Sequence, residues 1–275
     1  MKKILLIFII VLFNIAHLYS QTIEEDFLFY TLIGDAKKVL YYINKEKVDI
    51  NLKNEDGLTP LMLSIMANQN EITEILIRKG ANLELKDNEG KTALLWAISK
   101  DNIEAVRMLI DVGVDFDIKS EIAIEEDVYA KNMTALIWSV AEGNIEALKI
   151  LINAGANIDI KFEVREDETY LKNATALTLA AMYHNTEALR ILINAGANLD
   201  IKSEMLKGEV YLKNATALML SIRNDDVNAV KMLINAGADV NVVAKINNVD
   251  YTVLDVAKEE GNETIINMLL SAGAE

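Results

Sequence analysis

The 275-residue chain contains no cysteine. That absence excludes disulfides, iron–sulfur clusters, a thiol nucleophile and any cysteine-based zinc site. Its only two histidines are His17 and His184, too isolated to form a catalytic dyad or a histidine metal site. No glycine-rich phosphate-cradling loop and no nucleophile elbow occurs, so no enzymatic constellation, cofactor or metal is expected. Positive charge is also scarce. The 27 Lys and Arg face 42 Asp and Glu, a net charge of −15. Such a surface repels phosphate backbones, which argues against nucleic acid as a partner and favours association with basic surfaces. One long apolar run exists, Ile4 to Phe13, and its ten residues are too few to span a bilayer.

That run follows Lys2 and Lys3 and gives way to the more polar stretch ending Leu18-Tyr19-Ser20-Gln21, the layout of a secretory signal peptide over residues 1–20. The expected mature chain, residues 21–275, carries 25 basic and 42 acidic residues, or −17. The expected location is the periplasm or exterior of a bacterial cell, with no stable membrane anchor. An uncleaved N-terminal segment holding a membrane-anchored adaptor is the alternative.

The organising feature of what is present is a ruler. Six Thr-x-Leu triplets each precede a Gly by 21 positions: Thr59 and Gly80, Thr92 and Gly113, Thr134 and Gly155, Thr175 and Gly196, Thr216 and Gly237, Thr252 and Gly273. A fixed internal period means stacked units, each too small to bury its own apolar face. Between Thr92 and Gly113, apolar residues recur at helical spacing on either side of a polar break at Asn102, which predicts two short antiparallel helices. The closing Gly sits where a left-handed residue ends the second helix.

The residues Asp56-Gly57-Leu58-Thr59-Pro60-Leu61 and Gly237-Ala238-Asp239-Val240-Asn241, with Gly155-Ala156-Asn157 and Gly196-Ala197-Asn198, resemble the ankyrin repeat family over about residues 25–275. The resemblance implies an all-α solenoid of about seven helix-pair repeats with projecting β-hairpin fingers. A degenerate N-terminal cap repeat spans about 25–53, and further repeats start near 57, 90, 132, 173, 214 and 250. The last is polar along both helices (Asp255, Lys258, Glu259, Glu260, Asn262, Glu263, Asn267), as a cap should be. The family's His after Thr-Pro-Leu is replaced by Met62, Leu95, Ile137, Thr178, Met219 and Asp255, which implies a mainly apolar substitute. His184 stands where the family has Gly between helices and reads as a surface turn residue. Trp96 and Trp138 occupy equivalent positions and read as core, with a binding platform as the other possibility.

Thr-to-Thr spacings run 33, 42, 41, 41 and 36 while the Thr-to-Gly spacing never changes, so all added residues fall between helix pairs. In three of these connections apolar and polar residues alternate, as in Ile160, Phe162 and Val164, which is strand periodicity. At about 3.3 Å per residue the added four residues per strand extend a finger by roughly 13 Å. The tips are charged: Glu125, Glu126 and Asp127; Arg165, Glu166, Asp167 and Glu168; Lys207 and Glu209. Tyr129, Tyr170 and Tyr211, each five positions before a Thr, are expected as a ladder that either joins finger to finger or meets a partner. Carried over from the family by register, the exposed ends of the first helices give Met66, Lys100, Glu142, Met182, Tyr183 and Arg223 as further partner-binding residues. The functional expectation is a non-enzymatic protein-binding scaffold acting through fingers and groove. The alternative is a stoichiometric inhibitor or protective factor for a secreted or periplasmic enzyme. Shortening the fingers is expected to leave stability nearly unchanged.

Overall fold

Each Thr of the ruler is a helix N-cap. Its hydroxyl accepts the backbone N–H three residues on, satisfying one of the orphan donors of the first turn. Each closing Gly has φ between 83° and 92°, and an added Cβ would meet nothing within 4 Å, so the requirement is conformational rather than steric. The residue after each Gly donates to the carbonyl of a fully buried Leu five positions back, for example Ala156 N–H to Leu151 at 3.0 Å. The 21-residue spacing is therefore the length of one capped helix pair.

The computed structural model describes residues 22–125, 128–166 and 169–275. The expected signal peptide lies outside them, as do the tip residues Glu126, Asp127, Asp167 and Glu168. Two compact units divide the chain after Val114.

The first unit holds three helix pairs: α1 (Ile23–Ile33) with α2 (Ala36–Tyr41), which runs on into a π-helical turn at Tyr42–Glu46; α3 (Pro60–Met66) with α4 (Asn70–Arg78); and α5 (Ala93–Ser99) with α6 (Ile103–Asp111). First helices pack on first helices and second on second. Phe27, Val39, Ile65, Leu76, Ala97 and Leu109 are all fully buried in this stack. The aromatic N-terminal pair is closed by Tyr42, whose hydroxyl donates to Asp26 at 2.8 Å while its ring stacks on Tyr30.

The second unit contains α7 (Ala135–Ala141) with α8 (Ile145–Asn153), α9 (Ala176–Met182) with α10 (Thr186–Asn194), α11 (Ala217–Arg223) with α12 (Val227–Asn235), and α13 (Val253–Glu260) with α14 (Glu263–Ser271). Four antiparallel strand pairs precede these helix pairs: β1 (Ser120–Glu125) and β2 (Val128–Met133), β3 (Phe162–Glu166) and β4 (Thr169–Ala174), β5 (Ser203–Lys207) and β6 (Val210–Ala215), β7 (Val243–Ile246) and β8 (Val249–Thr252). Each also pairs with its neighbour, giving one eight-stranded antiparallel sheet in simple sequence order. The all-α class expected from the repeats is therefore wrong. The connections supply a continuous sheet, because extended segments set side by side satisfy their backbone groups across repeats.

The positions that lack the family's His are filled by packing. Met62, Leu95, Ile137 and Met219 are at most 2% exposed. Thr178 instead shares a hydrogen bond with the Thr175 hydroxyl at 3.2 Å, and Asp255 forms a capping box with Thr252. His184 is exposed with φ 55°, in the inter-helix turn. Among the described residues no helix is long and apolar enough to cross a membrane.

Candidate functional site

Directly paired residues in an antiparallel sheet share a face, so the strand register sorts the expected site residues. One row crosses the sheet as Tyr129, Arg165, Tyr170, Leu206 and Tyr211. Two residues along on the same face runs a second row, Lys131, Glu163, Lys172, Glu204, Lys213 and Lys245, in which charge alternates over the first five positions. This is the outer face. The Tyr129 and Tyr211 hydroxyls donate to Glu163 and Glu204 at 2.8 and 3.0 Å, and the Lys131 ammonium lies 4.6 Å from the centre of the Tyr129 ring. The bond to Glu163 raises the Tyr129 pKa above its usual value, and burial followed by the Glu204 bond raises that of Tyr211. The tyrosines occupy every second strand, separated by Arg165 and Leu206, so they anchor a charged lattice rather than stack on one another.

The opposite face carries Ala130, Val164, Leu171, Met205, Leu212 and Ile246 in one row. Leu171, Met205 and Leu212 are buried, as is Ile122 of the first hairpin, so this face looks inward. Beyond the apolar row the same face continues through Glu166, Thr169, Lys207 and Val210. There it meets the C-terminal ends of the first helices and leaves a pocket of about 330 Å³, lined by Met182, Met205, Lys207, Val210, Leu220, Arg223 and Asn224. The Asn224 amide donates to the carbonyls of Ala181 and Met182 at 2.9 and 3.2 Å and locks the end of α11 to the end of α9. Arg223 is half-buried, and its Nη1 is shielded from solvent with no hydrogen-bond partner among the described residues. Tyr183, 57% exposed, stands beside this site; burial of part of its ring and the Glu166 charge raise its pKa.

The expected partner-binding residues thus separate. Met182, Lys207 and Arg223 come together, with Tyr183 adjacent. Tyr129, Arg165, Tyr170 and Tyr211 lie on the other side of the sheet. Glu142 is exposed at the end of α7, and of Glu125 only the backbone, in β1, is described. In the first unit Met66 is half-buried at the end of α3, and Lys100 lies with its ammonium 5.2 Å from the Trp96 ring centre. Trp96 is only half-buried, so the core reading does not hold for it. Its indole N–H donates to Asp87 at 2.8 Å, and the Lys91 ammonium lies 4.9 Å from its ring centre. Trp138 is half-buried as well.

Sequence reasoning overlooked the inward row and the bulges that set it. Asn132, Asn173 and Asn214 have φ of 59°, 55° and 63°, and the register slips one residue beside each. The signal was the Lys-Asn that recurs just before Thr134, Thr175 and Thr216: a left-handed, non-glycine position favours Asn.

Among the described residues no cluster of His, Asp or Glu is arranged to hold a metal ion. The sequence matches the family described as ankyrin repeats (3 copies) over residues 29–120, 120–204, 160–244 and 204–275. No curated protein matches it. Among solved structures, the human ASB11 ankyrin repeat domain superposes with a TM-score of 0.63 at 19% identity, covering 90% of this chain and 98% of that one. The ankyrin repeat domain of Bcl-3, a member of the IkappaB family, gives 0.71 at 20% identity over 89% and 97%. An ankyrin repeat domain from Acinetobacter baumannii gives 0.61 at 25% identity over 78% and 98%. Ankyrin repeat domains are generally protein-binding scaffolds and typically non-enzymatic, and by the extent of its sequence match this chain belongs to the ankyrin repeat family.

Proposed function

We propose that the chain holds a protein partner outside the cytoplasm, along the groove between the inner face of the hairpin sheet and the ends of the first helices in the second unit. The observation that carries this reading is the pocket of about 330 Å³ built jointly by a hairpin and two helix ends, with an arginine nitrogen in its wall that has no hydrogen-bond partner among the described residues. Rigid repeats supply the scaffold, and the variable connections supply the contact surface. The net charge of −15 steers a partner with a basic surface at long range, an effect that salt weakens. Export rests on Lys2, Lys3 and the Ile4 to Phe13 run, and recovery of intact Met1 in a membrane fraction would count against it.

A photo-crosslinking amino acid placed singly at Tyr183, Tyr170 and Lys149 tests the surface. These positions sample the groove, the outer sheet face and the back of α8. Partner capture from Tyr183 alone is expected. Capture from Tyr170 or Lys149 without Tyr183 refutes the groove. An inhibitor or protective factor for an exported enzyme is the narrower form of the same reading, and titrating the captured protein's activity to one equivalent of chain distinguishes it.

A further inference from the structure

We propose that the pocket at Arg223 receives an acidic side chain of the partner, an Asp or Glu in an extended segment whose neighbouring residue is apolar. The inference rests on the groove reading above and gives it a chemistry.

Acids outnumber bases in this chain by 42 to 27, so its cations have abundant partners. Arg78 pairs with Glu74 and Arg190 with Glu187, each at 2.6 Å, although both pairs are well exposed. Arg223 is better shielded than either, yet its Nη1 has neither a carboxylate nor a carbonyl to bond among the described residues. A shielded guanidinium nitrogen without an acceptor carries a desolvation cost that a bound carboxylate removes. Arginine is also the side chain whose donor fork matches a carboxylate in two parallel bonds.

The position is specific to this repeat. Seven residues after each Thr, the chain has Met66, Ser99, Ala141, Met182, Arg223 and Glu259, so only one first helix ends in a cation there. Lys207 adds a second positive charge to the lining, while Met182, Met205 and Leu220 form the walls. Those walls suit the methylenes of an acidic side chain and one apolar neighbour. They suit a phosphate less well, because the lining's one amide donor, on Asn224, is already engaged with two carbonyls. The lining itself holds two cations and no acid, while Glu166 lies farther along the same sheet face, and this separates what attracts a partner from what seats it.

The experiment uses a random linear twelve-residue peptide library, displayed on phage and selected on the immobilised full chain. Enriched peptides are synthesised and titrated against wild type, Arg223→Met and Lys207→Gln. The expected result is an acid beside an apolar residue in the enriched set. Changing that acid to its amide, or Arg223 to Met, weakens binding about tenfold or more, and the two changes together do no more than either alone. Lys207→Gln has a smaller effect. Because the amide change is made in the peptide, the test stands even if an Arg223 variant loses stability. Enriched peptides that lack an acid, that need phosphate, or that bind Arg223→Met as well as wild type overturn the inference, as does a failure to enrich any sequence. If such peptides still crosslink at Tyr183, the groove survives and only its chemistry is wrong. Crosslinking confined to Tyr170 or Lys149 removes both.

Discussion

The connections between helix pairs solve one problem in two ways. In the first unit they are short turns organised by single side chains. Asn54 Oδ1 accepts from the N–H groups of Asp56 and Leu58, and Asp87 Oδ1 accepts from Glu89 and Lys91. Successive turns are tied by individual bonds, such as Asn88 N–H to the Asp56 carbonyl at 3.0 Å. In the second unit the longer connections pair by backbone ladders and bury an apolar face of their own. Lengthening a surface loop costs little entropy, and the added residues here are long enough to become structure. The difference teaches that the second unit has two layers of stabilising contacts, helix on helix and sheet on helix.

The largest expected effects set the baseline for that comparison. Leu109 in the first unit and Leu151 in the second occupy the same capped-helix position, and both are fully buried. Truncation of either to Ala should lower stability by about 2 to 5 kcal/mol through lost burial and a residual cavity. Denaturant unfolding reads this directly, and a midpoint unchanged for Leu151→Ala would contradict the packing register.

Shortening the hairpin at residues 205–210 comes next, and here the structure corrects the expectation that the hairpins contribute little to stability. Met205 is only 7% exposed and is paired with buried Leu171 and Leu212. Its removal should cost about 2 kcal/mol or more. The same deletion should abolish partner capture from Tyr183. A shortened chain as stable as wild type would mean that the sheet is an ornament and the two units are stabilised alike.

Tyrosines of both units are shifted upward, and the largest shift, at Tyr42 in the first unit, makes that residue the one to test at alkaline pH. Burial, and then the bond to Asp26, raises the Tyr42 pKa well above the ordinary 10.0. The folded state therefore keeps its proton at pH values where the unfolded chain releases it. This stability is fully present below about pH 10 and is lost as pH rises toward the folded value. Tyr42→Phe should cost about 1 kcal/mol at neutral pH through the lost hydrogen bond, and it should flatten the decline above pH 10. A wild-type pH profile retained in Tyr42→Phe would assign the alkaline loss to other groups.

The helix-pair ruler was legible because capping and packing are local: a Thr N-cap, a buried Leu and a left-handed Gly must recur at one spacing for the pair to close. The alternation through Phe162 and Val164 likewise showed strand character. What escaped the sequence was relational. Pairing of neighbouring hairpins was already implied by the recurring Tyr129, Tyr170 and Tyr211, but that the paired strands make the fold more than helical depends on neighbours in space. Which face each residue takes depends on a one-residue slip, so Tyr170 and Lys207 read as companions but lie on opposite sides of the sheet. The pocket at Arg223 needed three separate elements to meet.

The smallest expected effect tests the device that fixes those faces. Asn173 sits in the left-handed region at φ 55°, opposite the register slip between Phe162 and Glu163, and its extra residue turns Lys172 outward while Ala174 enters the core. Replacing Asn173 with Ala places a Cβ in an unfavourable conformation without the local bonding that lets Asn tolerate it, at a cost of about 1 kcal/mol. Gly adopts the same φ without that penalty, so Asn173→Gly should stay near wild type. The ordering of the two variants in thermal unfolding is the informative quantity. If Ala were as stable as Gly, the hairpin would reach its register without a left-handed residue, and the separation of an outer tyrosine face from an inner groove would have to be held by the apolar row alone.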